Sequence, residues 1–202
     1  MNNVFIDANV IAYWLFIGRI TKGKRDTKRK EILERYKKLK QAYDFIDFIT
    51  KRKTEGYTFI TSKLALSEVI TVLSDFIISE KMSLNGIVTI YWPRYKKDFL
   101  LNDEEFRDFQ DDITQRINFI SSKLDGVVDD KLLELENYPY FVGVLGLLTQ
   151  DAILLNTAIK KESNYFVTMD RDLLELDKKE EIRKILRIIK PQTMLVILEK
   201  KK

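Results

Sequence analysis

At 202 residues, with 45% hydrophobic and 33% charged content, the chain has the size and composition of one globular domain with insertions. It contains no Cys and no His, which excludes disulfides, thiolate chemistry and imidazole bases, and leaves only oxygen ligands for any metal, favouring Mg²⁺ or Mn²⁺ over Zn²⁺. The net charge of +4 is unevenly spread: Arg19 to Lys40 holds 11 Lys/Arg against 3 Asp/Glu, and Asp98 to Glu136 holds 12 Asp/Glu against 4 Lys/Arg, so a basic and an acidic pole are expected.

In chain order, Val4-Phe5-Ile6-Asp7 reads as a buried strand delivering a carboxylate at its carboxyl end, with Asn9 starting a short helix to about Ile17. Gly18 to Lys30 reads as a basic loop. A helical pattern over about 27–53 places Ile32, Leu33, Tyr36, Leu39, Tyr43, Ile46 and Ile49 on one face. After Gly56, Tyr57-Thr58-Phe59-Ile60 is a second strand, and Thr61-Ser62 caps a helix carrying Leu64, Glu68, Val72 and Phe76. That helix stops near Ser83–Gly86. Residues 87–101 have no clear period, and Pro93 argues against a central strand there.

Asp103 to Lys123 is an acidic amphipathic helix, and Gly126–Asp129 reads as the short tail of this region. A helical stretch from about Asp130 is interrupted at Tyr138-Pro139. Thr149 to Glu162 is a helix and Tyr165 to Thr168 a strand, followed by Met169-Asp170-Arg171-Asp172 and a short helix. A basic helix is expected over about Lys179–Ile189, ended by Pro191, with Met194–Leu198 as the last strand and a charged tail after it. Alternating strands and helices predict an α/β fold: a central parallel β-sheet flanked by helices, in a single domain over 1–202. Within it, a basic helical region spans about 18–53 and an acidic helical insertion about 78–123. No uncharged run reaches the roughly 20 residues of a membrane span, and no basic segment precedes the first apolar run. A cytoplasmic protein without a signal peptide is therefore expected.

Four acids stand where acids are costly. Asp7 and Asp170 follow apolar strands, where each could simply cap a helix. Glu68 interrupts the apolar face formed with Leu64 and Val72, so burial would demand either a buried Lys or Arg partner or another use. Asp151 shares a face with Leu154, Leu155 and Ala158, where the helix dipole could favour it. Taken together, two acids at strand ends and two on inward helix faces form a set that a divalent cation would hold ionised.

The segments Phe5-Ile6-Asp7-Ala8-Asn9-Val10-Ile11, Leu66-Ser67-Glu68-Val69, Gln150-Asp151-Ala152 and Phe166-Val167-Thr168-Met169-Asp170-Arg171-Asp172 occur in the order found in PIN-domain ribonucleases. The chain resembles that family, and within it the VapC-like toxin nucleases. The closing Ile189-Lys190-Pro191 before a last strand also fits. The resemblance implies a PIN-like, Rossmannoid fold and a metal-dependent endoribonuclease cutting RNA. The nuclease would be either the toxin of a toxin–antitoxin pair or an RNA-processing enzyme. It implies Asp7, Glu68, Asp151 and Asp170 as catalytic and metal-binding residues with one or two Mg²⁺ or Mn²⁺ ions. Asn9 and Thr168 would be supporting polar groups and Asp172 an acid at the rim. An antitoxin protein and a second copy of the chain are the partners it implies, besides RNA.

For RNA contact the candidates are Arg19, Lys22, Lys24, Arg25, Lys28, Arg29 and Lys30, which follow the first helix, together with Lys63 and Arg171, which flank the acids in sequence. A solvated basic loop is the plainer alternative for the first group. Two competing readings of the whole are a PIN-like scaffold that binds RNA or protein without cutting, and a toprim-like Mg²⁺ enzyme acting on DNA through Asp170, Asp172 and Glu68.

Overall fold

Strands β1 (Asn2–Ile6), β2 (Tyr57–Ser62), β3 (Gly126–Val128), β4 (Tyr165–Val167) and β5 (Arg187–Ile189) form one sheet in the order β3-β2-β1-β4-β5. Every neighbouring pair is parallel. This computed structural model describes residues 1–52, 54–130 and 137–200, apart from the side chains of Arg29 and Ile32. The helical stretch expected from about Asp130 falls largely on residues 131–136, outside the described residues. The α/β architecture agrees with the sequence reading and is consistent with a PIN-like, Rossmannoid fold.

β1 occupies the middle of the sheet, and Val4, Phe5 and Ile6 are fully buried. A central parallel strand covered on both faces needs a continuous apolar run rather than an alternating one, which is what the sequence supplies. Phe5 stacks on Phe166 of β4, with ring centroids 5.3 Å apart. On the flanks lie α1 (Ala8–Thr21), α2 (Asp26–Arg35), α3 (Lys37–Lys51), α4 (Lys63–Leu84), α5 (Trp92–Tyr95) and α6 (Asp103–Lys123). They are followed by α7 (Tyr138–Gly143), α8 (Thr149–Lys160), α9 (Arg171–Leu176), α10 (Glu180–Ile185) and α11 (Pro191–Glu199). Among the described residues no helix is long and apolar enough to cross a membrane.

Several elements differ from the sequence reading, each for a physical reason. The basic stretch after Ile17 is mostly helical: α1 continues to Thr21 and α2 begins at Asp26. Gly18 lies inside α1, where a Cβ would stand 3.1 Å from the Arg116 guanidinium. Gly126–Val128 is an edge strand, β3, paired with β2 in the register Thr61–Val127. Lys179–Ile189 divides into α10 and β5, because Ile188 and Ile189 complete the far edge of the sheet. Met194–Leu198 is helical. Pro191 starts α11 rather than ending a helix, since its missing N–H costs nothing in a first turn. Met194, Leu195 and Leu198 then face the core at helical spacing, and Val196 faces out.

The acidic stretch of about 78–123 holds the last turns of α4, then α5 between short 3₁₀ turns at Thr89–Tyr91 and Lys96–Phe99, then α6. α6 starts with a capping box, Asn102 and Glu105 each accepting from the other's backbone N–H at 2.9 Å. Phe109, Ile113 and Ile120 bury its apolar stripe in the same core as the sheet. The helix thus forms part of the crossover from β2 to β3.

Candidate active site

The chain turns outward from the sheet between β1 and β4: β2 and β3 lie on one side of β1, β4 and β5 on the other. Such a switch point leaves a crevice at the carboxyl ends of the strands. A cleft of about 580 Å³ opens there, lined among others by Asp7, Asn9, Tyr13, Glu68, Asp151, Asp170 and Asp172. All four acids of the sequence-derived set border it. Asp7 comes from the end of β1, Asp170 from just beyond β4, Glu68 from the second turn of α4, and Asp151 from the first turn of α8.

Asp7 is 3% exposed and is held by three donors. Its Oδ1 accepts from the backbone N–H of Ala8 at 2.7 Å, which makes Asp7, not Asn9, the cap of α1. Its Oδ2 accepts from Asn9 Nδ2 and from Thr168 Oγ1, each at 2.6 Å. The register explains the second bond: Ile6 pairs with Val167, so Asp7 and Thr168 meet one step beyond. Thr168 Oγ1 accepts in turn from Asn9 Nδ2 at 3.1 Å and from the Asp170 N–H at 2.9 Å. Asn9 Oδ1 accepts from the Met169 N–H at 2.9 Å. One polar network therefore fixes the ends of β1 and β4 against each other. Asp170 also caps α9, accepting from the N–H groups of Asp172 and Leu173 at 2.8 and 3.1 Å.

Helix capping is thus a real duty of both strand-end acids, yet it engages only part of each carboxylate's accepting capacity. Glu68 is different. It is half-buried, and among the described residues no Lys or Arg pairs with it. Burial raises its pKa to about 7, with the neighbouring Asp7, Asp151 and Asp130 carboxylates adding to the effect. Burial likewise pushes Asp7 up to about 7, against the lowering influence of Thr168 and the Ala8 N–H, while Asp151 and Asp170 push the same way as burial. Asp151 is raised by burial, then by Asp170 and Asp172, although the dipole of α8 favours its charge. Among the described residues no three acids converge as a ready-made ligand cage.

No family model matches the chain, and no curated protein matches it.

The candidate phosphate-contacting residues are placed unevenly. Arg171 lines the cleft. Lys63 ion-pairs with Asp129 at 2.6 Å. Lys22, Lys24 and Arg25 follow the end of α1, a 14-residue helix that carries them about 21 Å along its axis from Asp7. Arg19 and Lys22 meet Asp112 of α6 at 3.8 and 3.9 Å, and Arg116 shares the same carboxylate. The basic and acidic poles therefore touch and partly neutralise each other. Lys28 and Lys30 lie on α2 and border no part of the cleft. The Arg29 side chain is outside the described residues.

Two further residues bear on the site, Tyr13 within the cleft and Asp130 behind it. Tyr13, one turn along α1 from Asn9, lines the cleft, and its hydroxyl pKa is raised by burial and then by Asp170 and Asp7. The four-residue spacing from Asn9 was the available signal. Asp130 follows β3. Its Oδ2 accepts from the Leu64 N–H at 2.9 Å and its Oδ1 from Thr157 Oγ1 at 3.1 Å, tying α4 to α8. Val127-Val128 followed by two acids repeats the pattern of Val4–Asp7, a signal hidden by reading the stretch as a helix tail.

Proposed function

We propose that the chain is a divalent-metal-dependent nuclease acting on single-stranded RNA, a PIN-like endoribonuclease. The observation carrying this reading is the set of Asp7, Glu68, Asp151 and Asp170 around one cleft at the switch point of the sheet, with no cationic side chain paired to Glu68 among the described residues. The donor set suits Mg²⁺ or Mn²⁺, which prefer carboxylate oxygen. A bound ion of this kind would acidify a water and offset negative charge on the phosphate under attack. The protein's part is to hold the oxygens in place. Thr168 and Asn9 fix the Asp7 carboxylate, the α9 N–H groups fix Asp170, and α4 and α8 present Glu68 and Asp151 from the opposite wall. Arg171 and Tyr13 stand at the rim, where a phosphate and a base of the strand would lie.

A non-cutting scaffold accounts poorly for this site, because buried carboxylates whose charge is opposed by their neighbours lower stability without a compensating role. Glu68→Gln is the informative variant: among the hydrogen bonds described, its carboxylate takes part in none, so the change removes charge and leaves the caps intact. With Mg²⁺ or Mn²⁺, the native chain should cut single-stranded RNA, and Glu68→Gln should lose that activity by at least about 100-fold while melting at the same temperature or higher. Cleavage by Glu68→Gln at the native rate would sink the assignment.

A further inference from the structure

Beside the acidic cleft lies a second groove of about 310 Å³, lined by Tyr13, Lys38, Leu39, Gln41, Met169, Arg171, Leu174 and Lys190. The two share the walls Tyr13, Met169 and Arg171, so they are adjoining compartments. Their charges are opposite. The second groove has three cations and no acid in its lining, and among the described residues Lys38, Arg171 and Lys190 have no acidic partner. The topology explains the gathering. Lys38 lies in the first turn of α3, Arg171 follows β4 and Lys190 follows β5, so all three sit at the carboxyl edge of the sheet.

The helix start beside these cations points to an anionic ligand. Lys190 is the N-cap residue of α11, whose N-terminus has no side-chain cap. A cation at the positive end of a helix is unfavourable until an anion joins it.

Resting on the nuclease reading above, we propose that this groove holds a ribose-phosphate unit of the same single RNA strand, next to the phosphate placed over the acids. Lys38, Arg171 and Lys190 surround the neighbouring backbone phosphate. Tyr13 forms the wall over which the strand passes from one compartment to the other. Neither Lys38 nor Lys190 stands out as a phosphate contact in the sequence, because one lies on α3 and the other caps α11.

The test is binding of a fluorescent single-stranded RNA by the full chain in EDTA, where no cleavage occurs. Lys38→Ala/Lys190→Ala should weaken RNA binding about tenfold and flatten the log affinity against log salt slope by about 0.7, the value for the one phosphate no longer neutralised. The control Lys51→Ala/Lys123→Ala removes the same charge at helix ends leading into β2 and β3, the opposite edge of the sheet, and should bind as native. Native-like binding by the first pair, or equal weakening by both pairs, would overturn the proposal. Cleavage by the native chain with Mg²⁺ or Mn²⁺ is measured separately. Its absence would end the nuclease reading, while the binding result would still decide the groove.

Discussion

Thr168 is a small buried residue that ties together the two strand-end acids of the cleft. Its hydroxyl donates to Asp7 and accepts from Asn9 and Asp170, so it joins both strand-end acids to one point. Thr168→Val keeps the shape and removes those bonds. A loss of about 10–100-fold in metal affinity or cleavage is expected, as for other groups that orient ligands, measurable by calorimetric Mn²⁺ titration. The raised pKa values of Asp7 and Glu68 make a second prediction. In the unfolded chain these groups titrate near 3.8 and 4.5, and in the folded chain near 7. Between those limits the folded state binds more protons, so their contribution to stability is fully present below about pH 4 and is lost as pH rises to about 7. In metal-free buffer, Glu68→Gln should therefore lose less melting temperature than the native chain between pH 5 and 7.5. Mn²⁺ binds the deprotonated groups, so its affinity should climb through pH 7, and its addition should offset the native chain's loss.

At the scale of elements, the site depends on how α4 and α8 are anchored behind it. Ser62 caps α4, accepting from the Ala65 N–H at 3.1 Å, and Asp130 bonds both the start of α4 and Thr157 of α8. Asp130→Ala should cost about 1–3 kcal/mol in urea unfolding, because it leaves the buried Thr157 hydroxyl without its partner. It should also lower cleavage, since Glu68 and Asp151 ride on the two helices it joins. Ser62→Ala should cost about 1 kcal/mol, the usual value of an N-cap. The elements readable from sequence were those whose pattern admits one interpretation: the apolar run of β1, and the long amphipathic faces of α3, α4 and α6. The short apolar runs were ambiguous. Val127-Val128 and Ile188-Ile189 are too brief to show a period of two, and Met194–Leu198 suits a buried strand or a buried helix equally. The first two were resolved by the sheet edge each completes, and the third by Pro191, which opens a helix there.

Across the whole molecule, the two charged poles are less separate than the sequence suggested. Asp112 stands between Arg19, Lys22 and Arg116, joining the basic end of α1 to the acidic helix α6. Asp112→Ala should cost less than about 1 kcal/mol at physiological salt, because the group is partly exposed and screened, and the loss should shrink as salt is raised. The α/β class, the central strand and the four acids were legible in the order of residues, because burial of an apolar run and the cost of a carboxylate inside it are local facts. Arg171 at the cleft was legible there, but the cations that join it in the adjoining groove were not. Lys38, Arg171 and Lys190 lie on separate elements, and only the strand order brings their ends to one edge. The richer basic run near Lys22 was carried to the far end of α1, because a helix moves charge along its axis by a fixed rise per residue that composition does not reveal.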